Sequence, residues 1–192
     1  MKETYEIVRN FIPVDRSKDL SEKFKEYCRR EVVHGDLQVP NAPSVHNYLY
    51  FMELLCEKTS QLNEICGEPL FPTYCYARVY GNNDSLAPHK DRGSCDISVT
   101  VNLDCDVVWP IYINNNRRQK VECLLNPGDA MVYRGIEAVH WREEFNGQEC
   151  TQVFLHYVRS RGPYKNEYFD RHRFINMIKS GSYVYENLDD ML

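Results

Sequence analysis

The sequence lacks any apolar run long enough to cross a membrane, because its longest apolar stretches fall far short of the ~20 residues that a spanning helix needs. The opening residues, MKETYE, are charged and are not followed by an apolar run or a small-residue cleavage site. They therefore do not resemble a secretion signal. These two absences predict a protein without a membrane partner that stays inside the cell, in the cytoplasm.

Closely spaced cysteine pairs are also missing. No two of the eight cysteines form a Cys-x-x-Cys pair, which excludes the usual ligand spacing of a structural zinc site. The cysteines are scattered over positions 28, 56, 66, 75, 95, 105, 123 and 150. Because free cysteine behaves as a small buried hydrophobe, we expect most of them to be reduced core residues rather than a disulfide framework.

The sequence also has fewer basic residues than acidic ones. The 23 Lys and Arg residues are outnumbered by 28 Asp and Glu residues, which gives a net charge of -5. A field of this sign repels a polyanion, so the composition disfavours nucleic acid as a partner. The basic clusters at residues 117–120 and 159–173 are typical of solvated faces. Repeats and low-complexity segments are absent too, and 192 residues fit one domain that spans residues 1–192.

Residues 1–71 predict a helical support for this domain. Asp15 or Ser17 can cap a first helix, and Ser44 can cap a second helix that ends at Gly67. The second helix carries one apolar stripe, formed by Leu49, Met52, Leu55, Cys56, Leu62 and Ile65. A helix with a single apolar stripe is expected to lie on a sheet.

From residue 72 to residue 158 the hydrophobic period changes to two, and β-forming residues dominate. Strands are predicted at residues 73–80, 96–103, 107–113, 121–125, 130–133, 139–144 and 151–158. Turn-rich joints such as Asn126-Pro127-Gly128-Asp129 separate them. Short strands at this spacing predict a β-sandwich or barrel.

The end of this β-rich region carries a turn signal of its own. Asn146-Gly147 lies between two apolar strands and predicts a hairpin that pairs residues 139–144 with residues 150–158. The polar and aromatic residues 159–192 are expected to form a C-terminal covering segment, with a helix at residues 168–178.

Two histidines and one aspartate have the pattern of a metal site. In Pro88-His89-Lys90-Asp91, alternation along an extended chain places residues 89 and 91 on the same face. His140 follows at the start of a later strand. Two imidazoles and one carboxylate that leave coordination positions open form the facial triad that suits iron(II). Taken alone, the His-x-Asp motif is weak, so its context decides.

That context resembles a known family. Tyr80-Gly81 ahead of Pro88-His89-Lys90-Asp91, the run DISVTVNL at residues 96–103, Pro127-Gly128-Asp129-Ala130 and Val139-His140 are similar to the core strands of iron(II)/2-oxoglutarate-dependent oxygenases, particularly their prolyl-hydroxylase-like branch. The resemblance covers residues 74–158. It implies a mainly β fold with N-terminal helices, a double-stranded β-helix (a cupin-like jelly roll) flanked by α-helices.

The resemblance also implies a chemistry. His89, Asp91 and His140 correspond to the catalytic metal ligands, with Fe(II) as the metal and 2-oxoglutarate and O2 as co-substrates. The expected enzyme is a dioxygenase that hydroxylates a C–H bond and releases succinate and CO2. The sequence leaves open whether the substrate is an amino acid, a peptidyl residue or a small metabolite, and it leaves the oligomeric state open.

The residues that would bind 2-oxoglutarate depart from the family pattern. Many relatives carry an Arg or Lys about nine or ten residues after the second histidine. Here the residues nine and ten positions after His140 are Glu149 and Cys150. Arg142 is the best replacement, because it lies two residues after His140 and should face the same cavity. Arg78 is the rival. The remaining candidates are Tyr80, which falls where relatives place a tyrosine near the co-substrate, and Asn102 and Ser98, which could add hydrogen bonds.

Other interpretations come from different classes of protein. One is a cupin-like metalloenzyme that does not use 2-oxoglutarate, and the other is a catalytically inactive jelly roll that only binds. His156 alternates inward if Gln152 and Phe154 do, and such a residue is more often a hydrogen-bonded core histidine than a metal ligand. The loop at residues 114–120 and the aromatic tail at residues 164–169 are candidate lids over the site.

Overall fold

The computed structural model describes residue 1 and residues 3–171. Two helices and ten strands make up this part of the chain. The helices are α1 (Val14–Arg30) and α2 (Leu49–Cys66). The strands are β1 (Tyr5–Val8), β2 (Ser44–His46), β3 (Leu70–Gly81), β4 (Leu86–His89), β5 (Ile97–Cys105), β6 (Ile111–Asn114), β7 (Lys120–Cys123), β8 (Ala130–Tyr133), β9 (His140–Arg142) and β10 (Glu149–Arg159). Short 3-10 helices occur at Gly93–Cys95 and Lys165–Asp170.

The strands form two antiparallel sheets. The six-stranded sheet has the order β1-β8-β5-β10-β3-β2, and the four-stranded sheet has the order β4-β9-β6-β7. Strands that follow one another along the chain repeatedly change sheet, which is the arrangement of a jelly roll. The predicted fold class, a double-stranded β-helix flanked by helices, is confirmed.

The main core lies between the six-stranded sheet and the two helices. Phe24 of α1 and Phe51 of α2 are fully buried, and their rings lie 5.3 Å apart. On the sheet side, Tyr157 packs in the same cluster and its hydroxyl donates to the carbonyl of Leu55 over 2.7 Å. Because both helices pack in this cluster, they support one face of the sheet. Within residues 3–171, neither helix is long and apolar enough to cross a membrane.

The predicted ends of the helices are only partly correct. Gly67 ends α2 in a left-handed conformation, as expected. The start differs, because residues 44–46 pair with β3 as a short strand and α2 begins at Leu49. The buried side of α2 is also shifted: Leu49 and Cys56 are exposed, whereas Phe51 is buried.

The predicted hairpin at Asn146-Gly147 is wrong. Strand β9 pairs with β4 and β6 in the four-stranded sheet, whereas β10 pairs with β3 and β5 in the other sheet. The connection crosses between the sheets, and Phe145 is held there by backbone hydrogen bonds with Asn83 and Asp84. Local turn chemistry could not predict this, because the pairing partners are distant in sequence.

The cysteines follow the prediction with one exception. Cys105 and Cys150 are register partners on β5 and β10, and they form a disulfide. The other six cysteines are free, and four of them are buried. The expectation of reduced core thiols therefore fails for the pair that the sheet register brings side by side.

Candidate metal centre

The three predicted ligands come from two adjacent strands and the loop that follows one of them. His89 is the last residue of β4, and His140 is the first residue of β9; the two are register partners. Asp91 lies just beyond β4, where its backbone N–H donates to the carbonyl of Gly135 over 2.9 Å. The sheet register and this loop contact bring all three side chains to one end of the four-stranded sheet.

Their donor atoms converge. The Oδ1 atom of Asp91 lies 3.6 Å from Nε2 of His89 and 3.5 Å from Nε2 of His140. One donor atom from each of the three residues lies within 4.8 Å of the other two. A single cation with bonds of about 2.0–2.2 Å fits such a set of donors.

Backbone carbonyls select the tautomer of both histidines. Nδ1 of His89 lies 2.9 Å from the carbonyl of Ala87, and Nδ1 of His140 lies 3.1 Å from the carbonyl of Ala138. A carbonyl only accepts, so each Nδ1 carries the hydrogen and each Nε2 keeps its lone pair toward Asp91. This is the outer contact that orients metal-binding imidazoles.

The charges suit a cation. Burial raises the pKa of Asp91, but its contacts with His89 and with the nearby imidazoles outweigh burial and hold this pKa well below its usual range. Burial lowers the pKa of His140. Burial also opposes protonation of His89, but the contacts with Asp91 and Ala87 raise its pKa overall. The site therefore offers one ionised carboxylate beside imidazoles of different basicity.

Ser98 and His156 hold the outer oxygen of Asp91. The Ser98 hydroxyl donates to Oδ2 of Asp91 over 2.7 Å, and Nδ1 of His156 lies 3.0 Å from the same hydroxyl. Burial lowers the pKa of His156 to about 4, so the ring is neutral. His156 faces inward, but it contacts Asp91 indirectly, through Ser98, and it is not in the donor group of His89 and His140. It belongs instead to a second, neighbouring donor group, in which atoms of Asp91, Cys95 and His156 lie within 4.8 Å of one another.

A cavity of about 330 Å³ opens onto the three candidate ligands. Its aromatic wall includes Tyr74, Tyr76 and Phe154, and Lys90 and Arg92 lie at the same site. Arg92 is paired with Asp170, both of whose carboxylate oxygens it contacts at 2.9 Å. This pair brings the segment after β10 to the edge of the cavity.

Arg142 is fully buried next to this cavity. Its Nη1 donates to the carbonyl of Trp109 over 2.8 Å, and its Nη2 donates to Oε1 of Gln152 over 3.1 Å. Its Nε has no partner in the described part of the chain, where no carboxylate pairs with it. Burial lowers the pKa of Arg142 to about 10. Arg142 is not part of the cavity lining, but Leu86, its register partner on β4, is.

Arg78, the rival, lines the cavity and already has an acidic partner. Its Nη2 donates to Oδ2 of Asp36 over 2.6 Å, and Tyr76 donates to the same oxygen over 2.6 Å. Tyr80 also lines the cavity, and its hydroxyl accepts from Arg78 over 3.3 Å. Arg78 is therefore neutralised within the protein, whereas Arg142 is not.

Asn102, the remaining predicted contact of 2-oxoglutarate, lies outside the cavity wall. Asn102 donates to the carbonyl of Leu125 over 2.8 Å and accepts from Nε2 of Gln152 over 3.1 Å. It does not line the cavity. Residues 114–120 do not line it either, and a lid role for this loop stays a prediction. The predicted helix at residues 168–178 begins within a 3-10 helix with positive φ angles at Phe169 and Asp170, and its remainder lies outside the described residues.

Sequence reasoning assigned no role to three residues of this region. Its alternation with Phe154 and His156 along β10 already placed Gln152 on one face with them, but that alternation does not identify its side-chain partners. Trp109 lies just before β6 and Asp36 lies in the irregular segment between α1 and β2. Trp109 falls within the predicted strand at residues 107–113, whereas no periodic pattern covers Asp36, and only the tertiary structure shows what the two side chains contact.

No protein-family model and no curated protein matches this sequence. Solved structures do match its fold. A prolyl-4-hydroxylase from Pseudomonas putida is 13% identical with a TM-score of 0.68, over 84% of this chain and 95% of that one. A Trichoplax adhaerens prolyl hydroxylase, solved with a hypoxia inducible factor peptide, is 12% identical with a TM-score of 0.66, over 82% of this chain and 84% of that one. The epimerase SnoN, in complex with Fe3+, alpha ketoglutarate and nogalamycin RO, is 12% identical with a TM-score of 0.70, over 83% of this chain and 80% of that one.

These similarities define the class of fold. The chain has the double-stranded β-helix of the iron(II)/2-oxoglutarate-dependent oxygenases, prolyl hydroxylases among them. The resemblance stated from the sequence is confirmed at this level. Because one fold hosts many reactions, the activity has to be argued from the site itself.

Proposed function

We propose that this protein is a non-haem Fe(II)- and 2-oxoglutarate-dependent dioxygenase that hydroxylates a C–H bond. One observation carries the proposal: the Nε2 atoms of His89 and His140 both lie within 3.6 Å of Oδ1 of Asp91, so the three donor atoms converge. Two imidazoles and one carboxylate suit iron(II) and leave coordination positions for a keto acid and for O2. When bound, the iron supplies the oxidation, in which 2-oxoglutarate gives succinate and CO2 and one oxygen atom enters the substrate.

The protein's own residues would hold the metal in a fixed orientation. Ala87 and Ala138 fix the imidazoles through their carbonyls, and Ser98 fixes the carboxylate through Oδ2. With Oδ2 occupied by Ser98, Oδ1 is the oxygen left for the metal. Such outer contacts keep a ligand set rigid before the metal arrives.

Arg142 is the proposed contact for the distal carboxylate of 2-oxoglutarate. It follows His140 by two residues on β9, a distance of about 6.6 Å along a strand, which a five-carbon diacid can bridge. A buried guanidinium without a carboxylate partner has a strong free-energy preference for an anion. Arg78 lacks this preference, because Asp36 already neutralises it. Tyr80, in the cavity wall, is proposed to lie beside the co-substrate.

The substrate is proposed to enter along the aromatic wall formed by Tyr74, Tyr76 and Phe154. This wall suits an amino acid, a peptidyl side chain or a small metabolite, and the relatives in fold support a peptide and a small molecule as substrates. One of them was solved with a peptide and another with nogalamycin RO. Lys90, also in the lining, would favour a substrate that carries an anionic group.

A second candidate function rests on the position of Arg142. Because Leu86 and not Arg142 lines the cavity, the site could be a cupin-like metal centre that does not use 2-oxoglutarate. The two candidates differ in one property, which is whether the metal-loaded protein binds a keto diacid.

The test is an anaerobic titration of the Fe(II)-loaded protein with 2-oxoglutarate, followed by the visible charge-transfer absorption of the chelate. The expected result is absorption that saturates in the wild type and is absent in Asp91→Ala. Asp19→Ala, the same substitution at an exposed position on α1, is the matched control and should behave as the wild type. Bound iron without the absorption would favour the cupin-like centre.

A further inference from the structure

We infer that Gln152 is a positioning residue, which sets the orientation of the Arg142 guanidinium that receives the distal carboxylate of 2-oxoglutarate. This inference rests on the proposed function. Its basis is a chain of hydrogen bonds that joins β9 of the four-stranded sheet to β10 and β5 of the six-stranded sheet.

A backbone carbonyl fixes the direction of this chain. The carbonyl of Leu125 only accepts, so the amide nitrogen of Asn102 must face it, at 2.8 Å. The amide oxygen of Asn102 then accepts from Nε2 of Gln152 at 3.1 Å. The remaining group of Gln152, Oε1, faces Nη2 of Arg142 at 3.1 Å. The orientation of both amides therefore follows from the network.

The network is buried and holds the guanidinium at three places. Arg142, Gln152 and Asn102 are each at most 2% exposed. Besides the bond to Gln152, Nη1 of Arg142 donates to the carbonyl of Trp109, and the guanidinium carbon lies 4.7 Å above the indole ring. These contacts fix the plane of the guanidinium and its rotation within that plane. Nε remains without a partner in the described residues and can donate to a ligand.

The choice of an amide at position 152 has a chemical consequence. A carboxylate there would orient Arg142 equally well, but it would also neutralise the charge. The glutamine accepts a hydrogen bond and leaves the guanidinium positive, so an external anion gains the full electrostatic attraction. Gln152→Glu has nearly the same shape and should therefore replace the co-substrate's carboxylate with an internal one.

The experiment compares two keto acids by calorimetry on the anaerobic, Fe(II)-loaded protein. 2-Oxoglutarate has the distal carboxylate, and 2-oxobutyrate has the same keto acid end without it. Gln152→Glu should weaken 2-oxoglutarate about tenfold to a hundredfold, as expected for the loss of a charge-assisted contact, and leave 2-oxobutyrate within about twofold. Gln148→Glu adds the same charge at an exposed position just before β10 and should change neither affinity.

Gln152→Met serves as a second variant, because it keeps the length of the side chain and adds no buried charge. It should weaken 2-oxoglutarate selectively by about tenfold, since Nη2 loses its partner. Equal weakening of both keto acids, or unchanged 2-oxoglutarate affinity in both variants, would overturn the inference. If the wild type with iron bound takes up 2-oxobutyrate as tightly as 2-oxoglutarate, Arg142 is no anchor and the inference fails. If it takes up neither keto acid, the proposed function fails as well.

Discussion

His89 and His140 lie opposite each other on β4 and β9, with their ring centroids 4.3 Å apart, and both are oriented by the carbonyl two residues earlier. The same local device therefore occurs twice, once on each strand. It directs both Nε2 atoms to Oδ1 of Asp91 before any metal binds.

Replacing a candidate ligand should abolish tight metal binding while the fold persists. His140→Ala removes one of three donors, so we expect the Fe(II) affinity to fall by more than about a hundredfold, which exceeds the usual effect of an outer contact. Metal content after dialysis measures the loss, and circular dichroism reports the fold. His34→Ala removes an exposed histidine outside the cluster and should leave the metal content unchanged.

Removing the Ser98 hydroxyl should weaken the metal site without removing a ligand. Ser98→Ala leaves Oδ2 of Asp91 without its donor, so the expected loss of metal affinity is about tenfold to a hundredfold. Thr100→Val is the matched control: Thr100 is also on β5, and its buried hydroxyl has no partner within residues 3–171. Metal titrations in which both variants lose the same affinity would contradict a specific role for Ser98.

The two buried arginines should separate in their effects on the co-substrate. Arg142→Met should raise the KM for 2-oxoglutarate by more than about tenfold, because a charged hydrogen-bond donor to the carboxylate is lost. Arg78→Met should act mainly on the KM for the substrate, because Arg78 holds Asp36 at the cavity wall. The reverse ranking in steady-state kinetics would make Arg78 the anchor.

Asp129 should contribute stability that depends on pH. Burial raises its pKa, but hydrogen bonds from the backbone of Asn10 and Asn126 and from Arg9 outweigh burial and lower the pKa overall. A lowered folded-state pKa means that the contribution is fully present above about pH 4, the unfolded value, and is lost as the pH falls through the folded-state value.

The corresponding variant is Asp129→Asn. Urea unfolding at pH 7 should show a free energy of unfolding lower by about 1–3 kcal/mol than in the wild type. The difference should shrink as the pH is lowered below about 4, because the wild-type carboxylate becomes protonated. Asp19→Asn, at an exposed position on α1, is the control and should lower the free energy of unfolding by less than about 1 kcal/mol, because it breaks only a surface ion pair. A difference that stays constant down to low pH would exclude the charge of Asp129 as its cause.

The sequence predicted those parts of the site that depend on local geometry. His89 and Asp91 are two residues apart, and the strand that begins at His140 was recognisable from its composition. The structure brings these three residues together, and their role as metal ligands stays a prediction. The period-two pattern over the β-rich region predicted a β-sandwich or barrel, and the family resemblance narrowed this prediction to a double-stranded β-helix.

The remaining features depend on contacts between distant segments. The ion pair of Arg78 with Asp36 joins β3 to an irregular segment that has no periodic pattern. The Asn146-Gly147 turn was misassigned because its flanking strands belong to different sheets. The disulfide of Cys105 and Cys150 depends on the register of β5 and β10, which no spacing rule predicts.

The place of β10 in the six-stranded sheet has a consequence for synthesis of the chain. β10 lies between β5 and β3, so it joins a half-sheet of β1, β8 and β5 to a half-sheet of β3 and β2. A ribosome that has not yet released residues 149–159 therefore holds two half-sheets with unpaired edges, which are prone to aggregation. Such non-local pairing makes folding slow, and we expect the nascent protein to be prone to aggregation until β10 is inserted.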